Sequence, residues 1–199
     1  MSENVFFNTL AKSFTDVTIT DAGVDTIAFL EASEGIVQLF NLLGSAAFAP
    51  VKADISGNIT KVRTRYLAAP TISATLESLV ENEKGEKKRT ATEGLLWLLR
   101  GLQFTCIALQ RSVADKKEEL SISFTKAYED TLKKFHNFVV RPIFALAMKA
   151  CPSRADFYPK LGSPPDKVET ELIAWLAALD KIVKRVQEFY VKGGHDKGL

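Results

Sequence analysis

Residues 91–112 read ATEGLLWLLRGLQFTCIALQRS, and the fold follows from how such a run can hide its side chains. At about 100° per residue its leucines, Phe104 and Ile107 point in nearly every direction, which suits a helix enclosed between two layers. A helix of that kind needs partners, and the flanking sequence supplies them. TIAFLEASEGIVQLFNLL at 26–43 places apolar residues every three or four positions and is stopped by Gly44. Pro50 opens the next helix, since a first turn needs no donor from it, and AAP at 68–70 closes it. TISATLESLVENE at 71–83 reads as a shorter helix, after which KGEKKRT is a solvated charged loop. The stretch 119–152 reads as two helices meeting near His136 or as one bent helix, with Pro142 a local disturbance. RADFYPKLGSPPD is a short helix or turn leading to a Pro-rich connection. From Leu172 the positions Trp175, Leu176, Leu179, Ile182, Val183, Val186, Phe189 and Tyr190 form one apolar stripe on a long terminal helix. Strand alternation is absent over any useful length, so the pattern predicts an all-α chain of about eight helices in layers.

Bulk properties narrow the function. The 199 residues suffice for one sizeable core, and the chain is expected to form a single domain over 1–199. Thirteen Phe against 4 Tyr and 2 Trp mean that plain aromatic rings dominate what must be buried. A net charge of +2 is too mild for a nucleic-acid binder, which needs a concentrated basic stripe. Cys106 and Cys151 lack metal-binding spacing and read as free thiols of a reducing compartment, with no metal and no cofactor implied. The start MSENVFFNTLAKSF has neither the basic residues nor the apolar core of a leader, so a cytoplasmic location is expected. The uncharged apolar runs, such as LIAWLAAL at 172–179, fall short of the ~20 residues of a membrane span.

Two polar constellations stand out. In DISGNITK at 54–61, Asn58 lies about 40° from Asp54 around a helix and Lys61 about 20° to the other side, so the three share one face. One reading is a solvated surface carrying an i,i+7 charge pair. The other is a polyol clamp: a carboxylate accepts from two hydroxyls, an amide accepts and donates, and an ammonium donates. On the central helix Glu93, Trp97 and Arg100 share a face by the same arithmetic. Trp97 is either a core residue or a platform on which a sugar ring stacks through its C–H face. His136, between Phe135 and Phe138, is either a satisfied structural histidine or a hydrogen-bonding contact to an amide or carbonyl; no nucleophile accompanies it.

These residues resemble a known family. FLEA at 29–32, LGSAAFAPVKADISGNITKV at 43–62, GLLWLLRGLQF at 94–104 and the run 128–157 are similar, in order and spacing, to the glycolipid transfer proteins. TATEGLLWL and LAAP resemble especially the fungal heterokaryon-incompatibility members. The resemblance implies an all-α, two-layer helical sandwich enclosing a lipid-chain pocket, and a carrier that moves glycosphingolipids between membranes without vesicles. By position it implies headgroup-binding roles for Asp54, Asn58 and Lys61, stacking by Trp97 and a ceramide-amide contact by His136. Phe144 would line the chain pocket. Phe138 with Tyr128, Lys133, Lys134 and Arg141 would dock the protein transiently on a membrane. The expected partner is a glycosphingolipid bound by a monomer, without nucleic acid and without catalysis.

Three departures from the animal members bear on that expectation. Phe138 stands where they carry Trp, and Phe lacks the indole N–H that favours an interface. Glu93 takes a place usually apolar, which bears on headgroup selectivity. The terminus YVKGGHDKGL does not supply their terminal Tyr contact, and Tyr190 is not assigned that role. Competing readings are a lipid-sensing regulator, a ceramide-1-phosphate carrier and a glycosidase using Asp54 with Glu93. A phosphate would ask for further Arg or Lys on the central helix, and a glycosidase for carboxylates flanking the scissile bond.

Overall fold

The computed structural model describes residues 4–199; Met1, Ser2 and Glu3, on which part of the leader expectation rests, lie outside the described residues. The chain is a two-layer helical sandwich. Eight α-helices are present among the described residues: α1 (Thr26–Leu43), α2 (Ala49–Ala68), α3 (Leu76–Glu83), α4 (Thr90–Ala114), α5 (Leu120–Asp130), α6 (Val140–Lys149), α7 (Arg154–Phe157) and α8 (Pro165–Gly193). Two small antiparallel ribbons, which the sequence pattern did not reveal, pair β1 (Asn4–Val5) with β4 (Gly162–Ser163) and β2 (Ile19–Thr20) with β3 (Gly23–Val24).

Helix α4 is the hub, packed against α1, α2, α3, α5 and α8. Its buried positions run round the whole circumference, from Leu95 and Leu96 to Leu98, Leu99, Phe104 and Leu109, as a helix between layers requires. Its start is fixed from a distance. The carboxylate of Glu83, itself buried, accepts from the backbone N–H of Ala91 (3.0 Å) and Thr92 (2.7 Å) and from the Thr92 hydroxyl (2.7 Å). That satisfies donors a helix N-terminus leaves open. From the other side the Tyr190 hydroxyl donates to the Thr92 carbonyl at 2.7 Å, tying the end of α8 to the start of α4.

Local signals explain most boundaries. The Asp25 carboxylate caps α1 by accepting from Ala28 N–H at 2.8 Å, and Gly44 ends it in the left-handed region at φ 76°. By length and composition α1 could cross a membrane, but here Phe29, Leu30, Ile36 and Leu39 are fully enclosed by the core. Helix α3 begins at Leu76 and not near 71, because Thr75 and Ser78 form a capping box that starts the helix there. Helix α8 begins at Pro165, seven residues (172 − 165) before its apolar stripe, as a proline in the first turn permits. Pro142 likewise sits in the first turn of α6, so it helps start a helix and disturbs nothing.

The terminal-helix stripe is buried except for the half-buried Phe189. Phe7 and Phe14, from the segment before α1, close over it with ring centroids 5.3 and 5.2 Å from Trp175. Both cysteines are free thiols, Cys106 buried and Cys151 half-buried. Burial pushes each thiol up to about 12, so neither is a thiolate near neutral pH.

Candidate functional site

Asp54, Asn58 and Lys61 recur along one face of α2, and Glu93 and Trp97 along the facing side of α4. The two helices bring them together. A cavity of about 360 Å³ is lined by Pro50, Asp54, Asn58 and Lys61 from α2, Glu93 and Trp97 from α4, and His136, Val140, Ile143 and Phe144 from the third wall. The five residues expected to hold a headgroup therefore face one space, together with Phe144.

Close approach of α2 and α4 is permitted by Gly94. A Cβ built on it would lie 2.9 Å from Lys61 Cβ, nearer than side chains pack, and in ordinary contact with the Asn58 carbonyl oxygen at 3.5 Å. Lys61 Nζ donates to Asn58 Oδ1 at 3.2 Å, and Asn58 is only 3% exposed. The amide is thereby oriented before any ligand arrives. The protein crowded around Asp54 desolvates its carboxyl and raises its pKa; the Lys61 charge and the Asn58 side chain act in the opposite direction. One flank of Asp54 stays open to water, so this carboxylate is both partly desolvated and reachable.

The third wall comes from the α5–α6 connection. His136 follows a 3-10 turn (Lys133–Phe135), and its Nδ1 lies 3.2 Å from the Tyr128 hydroxyl. Desolvation, with the charges of Arg141 and Arg100, lowers the His136 pKa; a neutral imidazole can both donate and accept a hydrogen bond. Its ring lies 4.5 Å from Phe144 and nearly parallel to the Trp97 indole, 15° between planes at 6.0 Å. Behind it the rings continue inward: Phe144 to Phe104 at 6.4 Å, Phe104 to Phe124 at 5.7 Å, Phe124 to Phe40 at 6.4 Å. The cavity thus has a polar rim and an aromatic back.

Four of the expected docking residues, Tyr128, Lys133, Phe138 and Arg141, line one surface cavity, but their exposure differs. Phe138 is 84% exposed, and Lys133 and Lys134 are exposed beside it. Arg141 is exposed too, although its Nε donates to the His136 carbonyl at 2.8 Å and so fastens the turn. Tyr128 is a correction: it is 5% exposed, its ring is stacked on Phe144 at 5.3 Å, and its hydroxyl is engaged with His136. The helical pattern explains this, because α5 turns Tyr128 inward toward Phe104 and Phe144. Val139, Ile143 and Leu146 were missed; all three are exposed, and their spacing of four and three residues around the start of α6 marks one face. Glu83 and Gly94 were missed as well. A glycine inside a helical pattern is a signal of close packing, whereas nothing local links Glu83 to α4 across a charged loop.

Comparison with known proteins gives a consistent result. The family model "Glycolipid transfer protein (GLTP)" matches residues 24–163. A glycolipid transfer protein of Aureobasidium melanogenum is 52% identical over 184 residues, covering 92% of this chain and 92% of that one. The crystal structure of HET-C2, described as a fungal glycolipid transfer protein, superposes with a TM-score of 0.90 at 50% identity, over 93% of this chain and 96% of that one. A structure titled as showing how FAPP2 selects simple glycosphingolipids with the GLTP fold superposes with a TM-score of 0.88 at 32% identity, over 98% of both chains. By sequence, by fold and by the length shared with its relatives, this chain belongs to the glycolipid transfer protein family.

Proposed function

We propose that the chain carries glycosphingolipids between membranes, acting as a monomeric, cytoplasmic single domain over residues 1–199 that docks on bilayers only transiently. One observation carries this reading: a carboxylate, an amide, an ammonium, an indole and an imidazole face one cavity backed by Phe144. Asp54 accepts from sugar hydroxyls, Asn58 accepts from and donates to neighbouring hydroxyls, Lys61 donates to a hydroxyl or the ring oxygen, and Trp97 stacks on the pyranose. His136 and Asp54 share the ceramide amide. Phe138, Val139 and Leu146, with Lys133 and Lys134 around them, meet the membrane.

Moving a lipid with ~30 methylenes through water would cost on the order of 20 kcal/mol at ~0.8 kcal/mol each, so the carrier has to enclose the chains. Side chains fill the space behind Phe144, which means chains enter as helices part. Helix α6 is suited to this, since it packs chiefly on α5 and on the 3-10 turn Ala46–Phe48.

A ceramide-1-phosphate carrier fits the cavity less well. Among the described residues Lys61 is the one Lys or Arg lining it, and Asp54 and Glu93 line it beside Lys61, an arrangement that repels a phosphate and welcomes hydroxyls. Transfer between vesicles of glucosyl-, galactosyl- and lactosylceramide against ceramide-1-phosphate tests the reading. Neutral glycolipids are expected to move, and Asp54→Asn is expected to slow them on the order of a hundredfold. Preferential movement of ceramide-1-phosphate, or release of free sugar, would overturn it. A partner captured by a chain that binds glycolipid yet transfers none would favour a sensor.

A further inference from the structure

We propose that Arg100 is a positioning residue of the headgroup cavity: its guanidinium, seated against both the Trp97 and Phe135 rings, fixes the indole plane and ties it to the turn that carries His136. This rests on the cavity's proposed role and adds a residue to it.

Arg100 lies one helical turn beyond Trp97 on α4, so the two share a face. Its guanidinium carbon is 4.7 Å from the centroid of the Trp97 ring and 3.7 Å from that of Phe135. The two rings meet edge to face at 6.3 Å and 77°. The guanidinium therefore covers the corner they form. Among the described residues no carboxylate pairs with Arg100 at ion-pair distance, although the Asp196 charge acts on it from farther off, and Arg100 does not line the cavity. Its close contacts are the two aromatic faces.

This is unusual for a half-buried arginine, which normally finds a carboxylate or carbonyls, and it indicates what the residue does. A planar cation on the indole resists ring rotation, and the indole it holds lies nearly parallel to the His136 ring, 15° between planes at 6.0 Å. Phe135 ends the 3-10 turn, and His136 is the next residue. One side chain thus links the stacking element from α4 to the hydrogen-bonding element from the α5–α6 connection. A platform held at the productive angle spares the ligand the entropy of ordering it.

The role can be separated from simple loss of packing. Trp175 is enclosed in the core, so quenching of fluorescence by neutral acrylamide reports chiefly on Trp97. Arg100→Gln is expected to raise that quenching and to weaken uptake of galactosylceramide from phosphatidylcholine vesicles about fivefold, with the melting temperature unchanged. Arg100→Lys, which keeps the charge and loses the flat face, should restore less than half of the uptake. Phe135→Leu should move quenching and uptake in the same direction as Arg100→Gln. In a Trp97→Ala background, Arg100→Gln should add little further loss of uptake. The proposal fails if Arg100→Gln leaves quenching and uptake at wild-type levels, or if its loss of uptake is undiminished once Trp97 is alanine. Should the unaltered chain take up no galactosylceramide, the carrier reading falls, while the quenching comparison still decides the part played by Arg100.

Discussion

The two sides of the headgroup cavity are built differently. The α2–α4 side is held from every direction: Gly94 lets the helices touch, Lys61 and Asn58 are already hydrogen-bonded, and Glu83 caps α4 from inside the protein. The α5–α6 side stands on a 3-10 turn and a short helix, with Phe138, Val139 and Leu146 left in water. Selective recognition needs groups fixed in advance, whereas docking and chain entry need surface that changes its surroundings. The cavity lies where those requirements meet.

Substitutions on each side should therefore fail in different ways. The largest effect is expected at Glu83. Glu83→Ala strands two backbone donors and the Thr92 hydroxyl in the interior, and should lower the unfolding free energy by about 3 kcal/mol in a urea titration. A much smaller loss would mean that the rigid side is less dependent on this cap than its geometry indicates.

Phe138→Asp should leave stability unchanged, because the side chain touches water and little else. Transfer between vesicles should nevertheless fall about tenfold, as expected from losing roughly 1.5 kcal/mol of apolar contact with the bilayer. Equal transfer rates would move the docking surface elsewhere.

The smallest effect is expected at Gly94. Alanine gains about 1 kcal/mol of helix propensity, but overpacking against Lys61 costs about 2 kcal/mol, for a net loss near 1 kcal/mol. Because Lys61 Cβ is the atom met first, α2 itself must shift. Glycolipid binding should weaken along with the lowered melting temperature. Stabilisation with full binding would show the α2–α4 side to be more yielding than it looks.

The sequence alone determined the helices and the side-chain chemistry. Periodicity placed α1 and the stripe of α8, because burial of one helical face leaves a repeat that any reader of the chain can count. The spacing of Asp54, Asn58 and Lys61 put them on one face for the same reason. Only the tertiary structure decided what that face looks across at. Trp97, Glu93 and His136 enter the cavity through the crossing of α2 and α4 and through a turn after α5, contacts between residues far apart in the chain. Whether Tyr128 points to a membrane or into the core, whether Glu83 is a surface charge or a buried cap, and whether Arg100 finds a carboxylate or two aromatic rings are set by neighbours that the local pattern does not specify.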